Sequence, residues 1–455
     1  MNTGARPARR SGGRPAEPWR LDPRHPGRVS FAEFVGHCQA AGELVVQPRM
    51  GFGDPARMRE GLLATRTAAA TTVGTLTLDS YTRTGAHETA RQALAQGLGL
   101  NGYPIVAHGA AVTRTLLDGI HDADFPVQVR HGSARPQDIF AALTAAGLDA
   151  TEGGPVSYCL PYSRLPLTQS VRNWVRSCEI LTEVRHFGVE PHLESFGGCM
   201  MGQLCPPGLL VAISVLEGLF FQQHGLRSIS LSYAQQTNAE QDEEAVLALR
   251  RLAWELLPDI DWHVVVYAYM GVYPRTEPGA LHLLSEAARL AVRTDSARLI
   301  VKTVAEAFRI PTIAENVQAL EHAARAAEAE PSRRPPAGSG SRSDTAVYAE
   351  ARALIEGVLD LGADLGRSLP EAFARGRLDV PFCLHPDNAG RSRSYIGADG
   401  RLMWSDTGAM PIARIAEVDE RRAMTSAELI GSLTHVERKF DAAALDRPHA
   451  PQLVR

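Results

Sequence analysis

The 455-residue chain is 44% hydrophobic and 22% charged, which is enough apolar material for a large core and the balance of an ordinary globular protein. A formal net charge of -4 excludes a global electrostatic pull toward nucleic acid or anionic lipid, so small molecules or another protein are the expected partners. Six cysteines spread along this length do not form the dense framework of a small secreted domain, and no apolar run is long enough for a membrane span, so a cytoplasmic location is expected.

In chain order, residues 1–30 are rich in Arg, Pro and Gly and lack an apolar core segment; they read as a disordered tail rather than a secretory signal. From Glu43 onward, short β-branched or apolar runs alternate with longer Ala- and Leu-rich stretches, the pattern of parallel βα units. Nine runs qualify as strands: ELVVQPR, VGTLTLDSYTR, YPIVAH, FPVQVRHG, PVSYCLPY, PHLESFGG, SISLSY, WHVVVYAYMG and RLIVKT. A closed barrel holds eight, and PVSYCLPY is the weakest of the nine because Pro155 and Pro161 both oppose a central strand. The expected fold is α/β, a TIM (β/α)8 barrel over residues 31–326 with N-terminal and C-terminal extensions.

Within it, CPPGLLVAISVLEGLFFQQHG reads as a buried helix opened by paired prolines and closed by Gly225. Residues 327–346, AEAEPSRRPPAGSGSRSDTA, read as a flexible linker or long loop. Residues 347–455 form a C-terminal extension expected to pack on the barrel, with a hairpin in RSYIGADGRLMW that turns at Asp399 and Gly400.

Several expected strands finish in a polar or charged side chain: Arg49, Arg83, Arg130, Glu194 and Lys302. Barrel active sites are assembled at the carboxyl ends of the strands, so these groups would face one mouth. Guanidinium groups grip carboxylates with two prongs, and three converging arginines suit a substrate with more than one carboxylate. A single arginine would more often sit on the rim beside a loop acid; three at equivalent positions favour convergence. In TEGGPVSYCLPY, Glu152, Tyr158 and Tyr162 offer a carboxylate and two phenols that could hold or deprotonate an ammonium group, or else simply pack. Lys302 and Glu306, four apart after a strand, read by themselves as a surface ion pair. His108 and His131 read as structural histidines, and Cys199 and Cys205 lack the partners of a metal site. No dinucleotide, Walker, zinc-protease or serine-hydrolase motif is present in proper context.

At these same residues the sequence resembles the large (epsilon) subunit of glutamate mutase, also called methylaspartate mutase. The stretches that carry the resemblance are VVQPRMG, LDSYTR, NGYPIVAHG, VQVRHG, TEGGPVSYCLPY, LCPP, YMGVYP, IVKTVAEAFRIPT and DVPF, from about Gly42 to the C-terminal region. The resemblance implies a TIM barrel isomerase that interconverts L-glutamate and (2S,3S)-3-methylaspartate by a radical mechanism dependent on adenosylcobalamin. It also implies a separate small cobalamin-binding subunit with a DxHxxG motif, which this chain lacks, and a heterotetramer built on a dimer of large subunits.

Carried over by motif, Arg49, Arg83 and Arg130 correspond to the arginines that bind the substrate carboxylates, and Glu152 to the acid that contacts the amine, with Tyr158 and Tyr162 beside it. Lys302 and Glu306 correspond to a pair near the adenosyl ribose, which replaces the surface-pair reading; Asn101 and Phe196 fall in motifs near the mouth on the cofactor side. Two departures stand out. A histidine expected before the Met-Gly pair is absent, where VVYAYMG places Tyr267 or its neighbours, and LSYAQQTNAEQDEE differs from the family's helix and loop in that region. The competing readings are a mutase of the same mechanism acting on a related dicarboxylate amino acid, a cofactor-independent barrel lyase or isomerase using Glu152 and Lys302, and a non-catalytic scaffold.

Overall fold

Eight short parallel strands form the centre of the molecule: β1 (Val45–Gln47), β2 (Gly74–Thr77), β3 (Val127–Arg130), β4 (Ala150–Glu152), β5 (His192–Glu194), β6 (Ser228–Ala234), β7 (Asp261–Tyr267) and β8 (Arg298–Ile300). The structure is a computed structural model and describes residues 29–196, 204–331, 344–419 and 424–445. From β2 to β8 each strand pairs in parallel with the next in sequence, and β1 pairs with β8. A parallel bridge between Val46 and Thr72, with Val46 N donating to the Thr71 carbonyl at 2.9 Å, brings β1 beside the approach to β2 and nearly closes the sheet. Helices follow the strands and surround them, the arrangement of a TIM-like α/β barrel.

Seven of the nine expected strands are present; YPIVAH and PVSYCLPY are not. In the first, only Tyr103 makes a strand-like bridge, to Leu78, and Ile105 opens a helix that runs to Leu117. The Ala-rich continuation supplies a helix longer than any local strand could be, with a break at Gly109, whose φ is 76°. PVSYCLPY is a set of helical turns, because the buried Glu217 accepts from Val156 N and Ser157 N at 2.9 Å each and bends the chain around its carboxylate. The strand that completes the eight is instead β4, Ala150–Glu152, too short and polar to stand out in the sequence. VGTLTLDSYTR is also shorter than expected: Asp79 accepts from Tyr81 N and Thr82 N and starts the helix Ser80–Thr84, so Arg83 rides on a helix rather than a strand end.

The helix Pro207–Gln223 is buried nearly all round, as its composition requires. The helix Phe31–Ala41 plugs the amino end of the barrel. Its Ser30–Glu33 capping box fixes the entry angle, and buried Phe31 stacks on His192 at 5.4 Å. The expected hairpin pairs Arg393–Ile396 with Leu402–Asp406 and turns through Gly400, whose φ is 84°. Residues 1–28 of the N-terminal tail and 332–343 of the expected linker lie outside the described residues. Beyond that gap, the helix Ala346–Leu359 packs on Pro207–Gln223 and on the helix Ala239–Leu256. No helix among the described residues is long and apolar enough to cross a membrane.

Candidate active site

Alternation along a strand decides which side chains enter the barrel. On β5, β7 and β8 the phases His192–Glu194–Phe196, His263–Tyr267 and Arg298–Lys302 share the inner face with Gln47 on β1 and Gln128 and Arg130 on β3. The hydrogen bonds show it directly. Gln47 donates to Thr75 at 3.0 Å and to Gln128 at 2.8 Å, and Gln128 donates to Glu194 at 3.3 Å. Below this layer Arg298, fully buried, donates to Gln47 at 2.5 Å, Ser230 at 3.0 Å and His263 at 3.1 Å, and forms an ion pair with Glu194. A buried guanidinium is tolerable only because these acceptors replace its water.

At the carboxyl ends of β3, β4 and β5 the network becomes an acid–base cluster. Arg130 bridges Glu152 at 2.6 Å and Glu194 at 3.5 Å, and all three side chains are buried. The Tyr158 hydroxyl donates to Glu152 Oε1; the Tyr267 hydroxyl lies against Glu194 Oε1 and 3.2 Å from Glu152 Oε2. Phe196 closes one side, its ring 4.7 Å from Tyr158 and 5.3 Å from Tyr267.

Burial works against ionisation of both carboxyls, with unequal results. For Glu194 the Arg298 and Arg130 charges outweigh burial and hold the carboxyl at about 2. For Glu152 burial wins over the attraction of Arg130, and the charge of Glu194 adds to it, so its pKa is raised. Burial pushes Tyr158 well above the usual phenol range, so it remains a donor.

The other residues singled out in the sequence fall around this cluster in two groups. On one side Arg83 lies 5.7 Å from the Tyr162 ring, which packs edge-on against Tyr158, and Asn101 accepts from Ser80 N at 3.0 Å at the start of the helix that carries Arg83. On the other, β1 and β8 are neighbours, and Arg49 and Glu306 beyond their ends form an ion pair at 2.6 Å. Lys302 is buried with its ammonium 4.4 Å from the Tyr273 ring. Glu306 sits on a 3-10 turn, with its other oxygen accepting from Thr303 N at 3.1 Å, so the helical i,i+4 geometry assumed for a Lys302–Glu306 surface pair does not occur. Of the five charged residues expected at strand ends, Arg130 and Glu194 are found there, and Glu152 ends β4 as well. Arg49 and Lys302 lie two residues beyond theirs, and Arg83 six.

His108 is structural, with its ring nitrogen 2.8 Å from the Gly53 carbonyl. His131 is buried against Trp174 and Tyr158, and burial pushes it down to about 3, so it is neutral. Cys205 is a buried free thiol, Cys199 lies outside the described residues, and no metal-binding cluster occurs among the described residues. The sequence reading did not single out Arg298, Gln47, Gln128 or His263 as site residues, although even spacing marks them as sharing the inner face: Gln47 and Gln128 lie two residues before Arg49 and Arg130, and Arg298 and His263 four before Lys302 and Tyr267.

A parallel eight-stranded barrel with a buried acid–base cluster at the carboxyl ends of its strands defines a barrel enzyme. The methylaspartate mutase E chain family model matches residues 25–431. The glutamate mutase epsilon subunit of Escherichia coli O157:H7 is 30% identical over 74% of this chain and 72% of its own length. That of Halobacterium salinarum is 31% identical over 74% and 71%, and that of Yersinia enterocolitica 29% identical over 86% and 82%. The chain belongs to the methylaspartate mutase E chain family and is a mutase-type catalytic subunit.

Proposed function

We propose that this chain is the catalytic subunit of an adenosylcobalamin-dependent mutase that interconverts L-glutamate and (2S,3S)-3-methylaspartate together with a separate cobalamin-binding small subunit. The observation that carries the proposal is the Arg130–Glu152 pair with Tyr158 and Tyr162 above it, in a chain whose relatives are named for glutamate mutase. An amino acid with two carboxylates and one ammonium matches three guanidinium groups and one carboxyl in charge and geometry. Arg49, Arg83 and Arg130 bind the carboxylates, with Arg130 exchanging a Glu152 oxygen for one from the substrate. Glu152, released on that side, meets the amine, while Tyr158 continues to donate to its other oxygen and fixes its orientation. Phe196 and the buried tyrosine rings exclude water from the reacting carbons.

Adenosylcobalamin, when bound, supplies an organic radical by homolysis of its cobalt–carbon bond. The residues of this chain fit its adenosyl end. Glu306 spends two of its roughly four acceptor positions on Arg49 and Thr303, which leaves capacity for ribose hydroxyls, and Lys302 offers a donor beside it. Asn101 and Phe196 complete the cofactor side of the mouth. Just beyond Glu306, Phe308 and Ile310 are 65% and 56% exposed, which supports a reading in which another protein covers this edge of the barrel.

The grip is tested by Arg83→Lys, which keeps the charge and removes the planar fork. Turnover of L-glutamate is expected to fall by at least about 100-fold, the order of one lost positioning contact. Near-normal turnover would remove Arg83 from the substrate site.

A further inference from the structure

One phenol stands between two carboxyls at the centre of the site. The Tyr267 hydroxyl, fully buried, touches Glu194 Oε1 and lies 3.2 Å from Glu152 Oε2. A phenol carries one proton and can donate to only one of them. Glu194 has the stronger claim, because two guanidiniums, Arg298 and Arg130, keep it anionic. Glu152 has Arg130 alone, and its other oxygen already accepts from Tyr158. With the Tyr267 proton committed to Glu194, the Tyr267 and Glu152 oxygens, 3.2 Å apart, can be joined by a second proton between them.

We propose that Tyr267 is a positioning residue that holds Glu152 in its protonated form, the phenol donating to Glu194 while its oxygen accepts the Glu152 proton. The groups that face Glu152 are consistent with this count. Arg130 and neutral His131 come from β3 and its end, Tyr158 from the loop after β4, Glu194 from β5, and Arg298 stands behind Glu194 on β8. The two carboxyls and two guanidiniums then share one extra proton, the state that burial of Glu152 favours.

The consequence for catalysis rests on the mutase reading; the proton assignment does not. An amino acid arrives with a protonated amine, so forming an ammonium–carboxylate pair or a free amine beside Glu152 releases one proton to solvent. Either Glu152 loses it and pairs with the ammonium as a carboxylate, or the ammonium loses it and binds as the amine.

The assignment is tested on the full chain without substrate by infrared difference spectroscopy, subtracting Glu152→Gln from wild type across a pH series. The expected result at neutral pH is a protonated-carboxyl stretch from Glu152. In Tyr267→Phe its titration midpoint falls, by about one pH unit, because the proton loses its acceptor. In Tyr158→Phe the midpoint rises, because a donor to the ionised form is lost. An ionised Glu152 in the wild type at neutral pH, or a midpoint that rises in Tyr267→Phe, overturns the proposal. If Tyr267→Phe does not fold, the wild-type band decides. A reconstituted wild type that shows this band and yet no mutase turnover would sink the mutase reading and leave the proton assignment standing.

Discussion

Arg298 shows how much of this site is held from below. It is completely buried, with Phe31 of the N-terminal helix 4.9 Å beneath its guanidinium and Glu194 above. Removing one partner of such a pair leaves the other charge buried and unpaired, which costs more than the pair contributes when intact. Arg298→Met is therefore expected to destabilise the chain by about 3–5 kcal/mol in urea unfolding, and adding Glu194→Gln to recover part of that loss because the stranded anion is gone. A loss below about 1 kcal/mol would mean that solvent reaches Glu194. At this scale the sequence was informative about residue type and less so about partners. Arg130 and Glu152 were both recognisable from their motifs. Nothing in the sequence shows that Arg130 spans Glu152 and Glu194, or that Arg49 faces Glu306, because those contacts join strands far apart in the chain.

Three buried carboxyls tie outer elements together. Glu217, on Pro207–Gln223, accepts three hydrogen bonds from Val156 and Ser157, and Gly154 beside it has no room for a Cβ, which would lie 2.1 Å from the carboxylate. Asp242, on Ala239–Leu256, accepts from Tyr233 and Gln236 N, and Glu350, on Ala346–Leu359, accepts from the indole of Trp404. Burial pushes all three up to about 7, from ordinary values of 4.5, 3.8 and 4.5. The folded state therefore binds these protons more tightly than the unfolded chain does. The stability they contribute is fully present below about pH 4 and is lost as the pH rises to about 7. Buried His131 and His192, both pushed down to about 3, act in the opposite sense over this range, so the carboxyl share is read by difference: in Glu350→Gln the slope of unfolding free energy against pH between 5 and 7 is expected to become more positive than in the wild type, and an unchanged slope would show that Glu350 is ionised throughout. At the scale of elements, seven strands were legible from β-branched runs. The two misassigned runs were overridden from outside: an Ala-rich continuation makes YPIVAH open a helix, and the carboxylate of Glu217 from a distant helix bends PVSYCLPY. The strand Ala150–Glu152 was illegible because three residues with a polar end carry no period.

For the molecule as a whole, the barrel class followed from the alternation of strands and helices, and the family from ordered motifs along most of the chain. The residues joined in the candidate site come from the ends of β1, β3, β4, β5, β7 and β8 and from the segments that follow these strands and β2, so the nearly closed barrel is what makes one site of them. That design leaves Phe308 and Ile310 exposed just beyond the end of β8. The most direct measurement mixes the purified chain with a cobalamin-binding small subunit, adenosylcobalamin and L-glutamate and follows 3-methylaspartate. The account predicts product only when all four are present. Product formed without the small subunit or the cofactor, or none from the complete mixture, would contradict it.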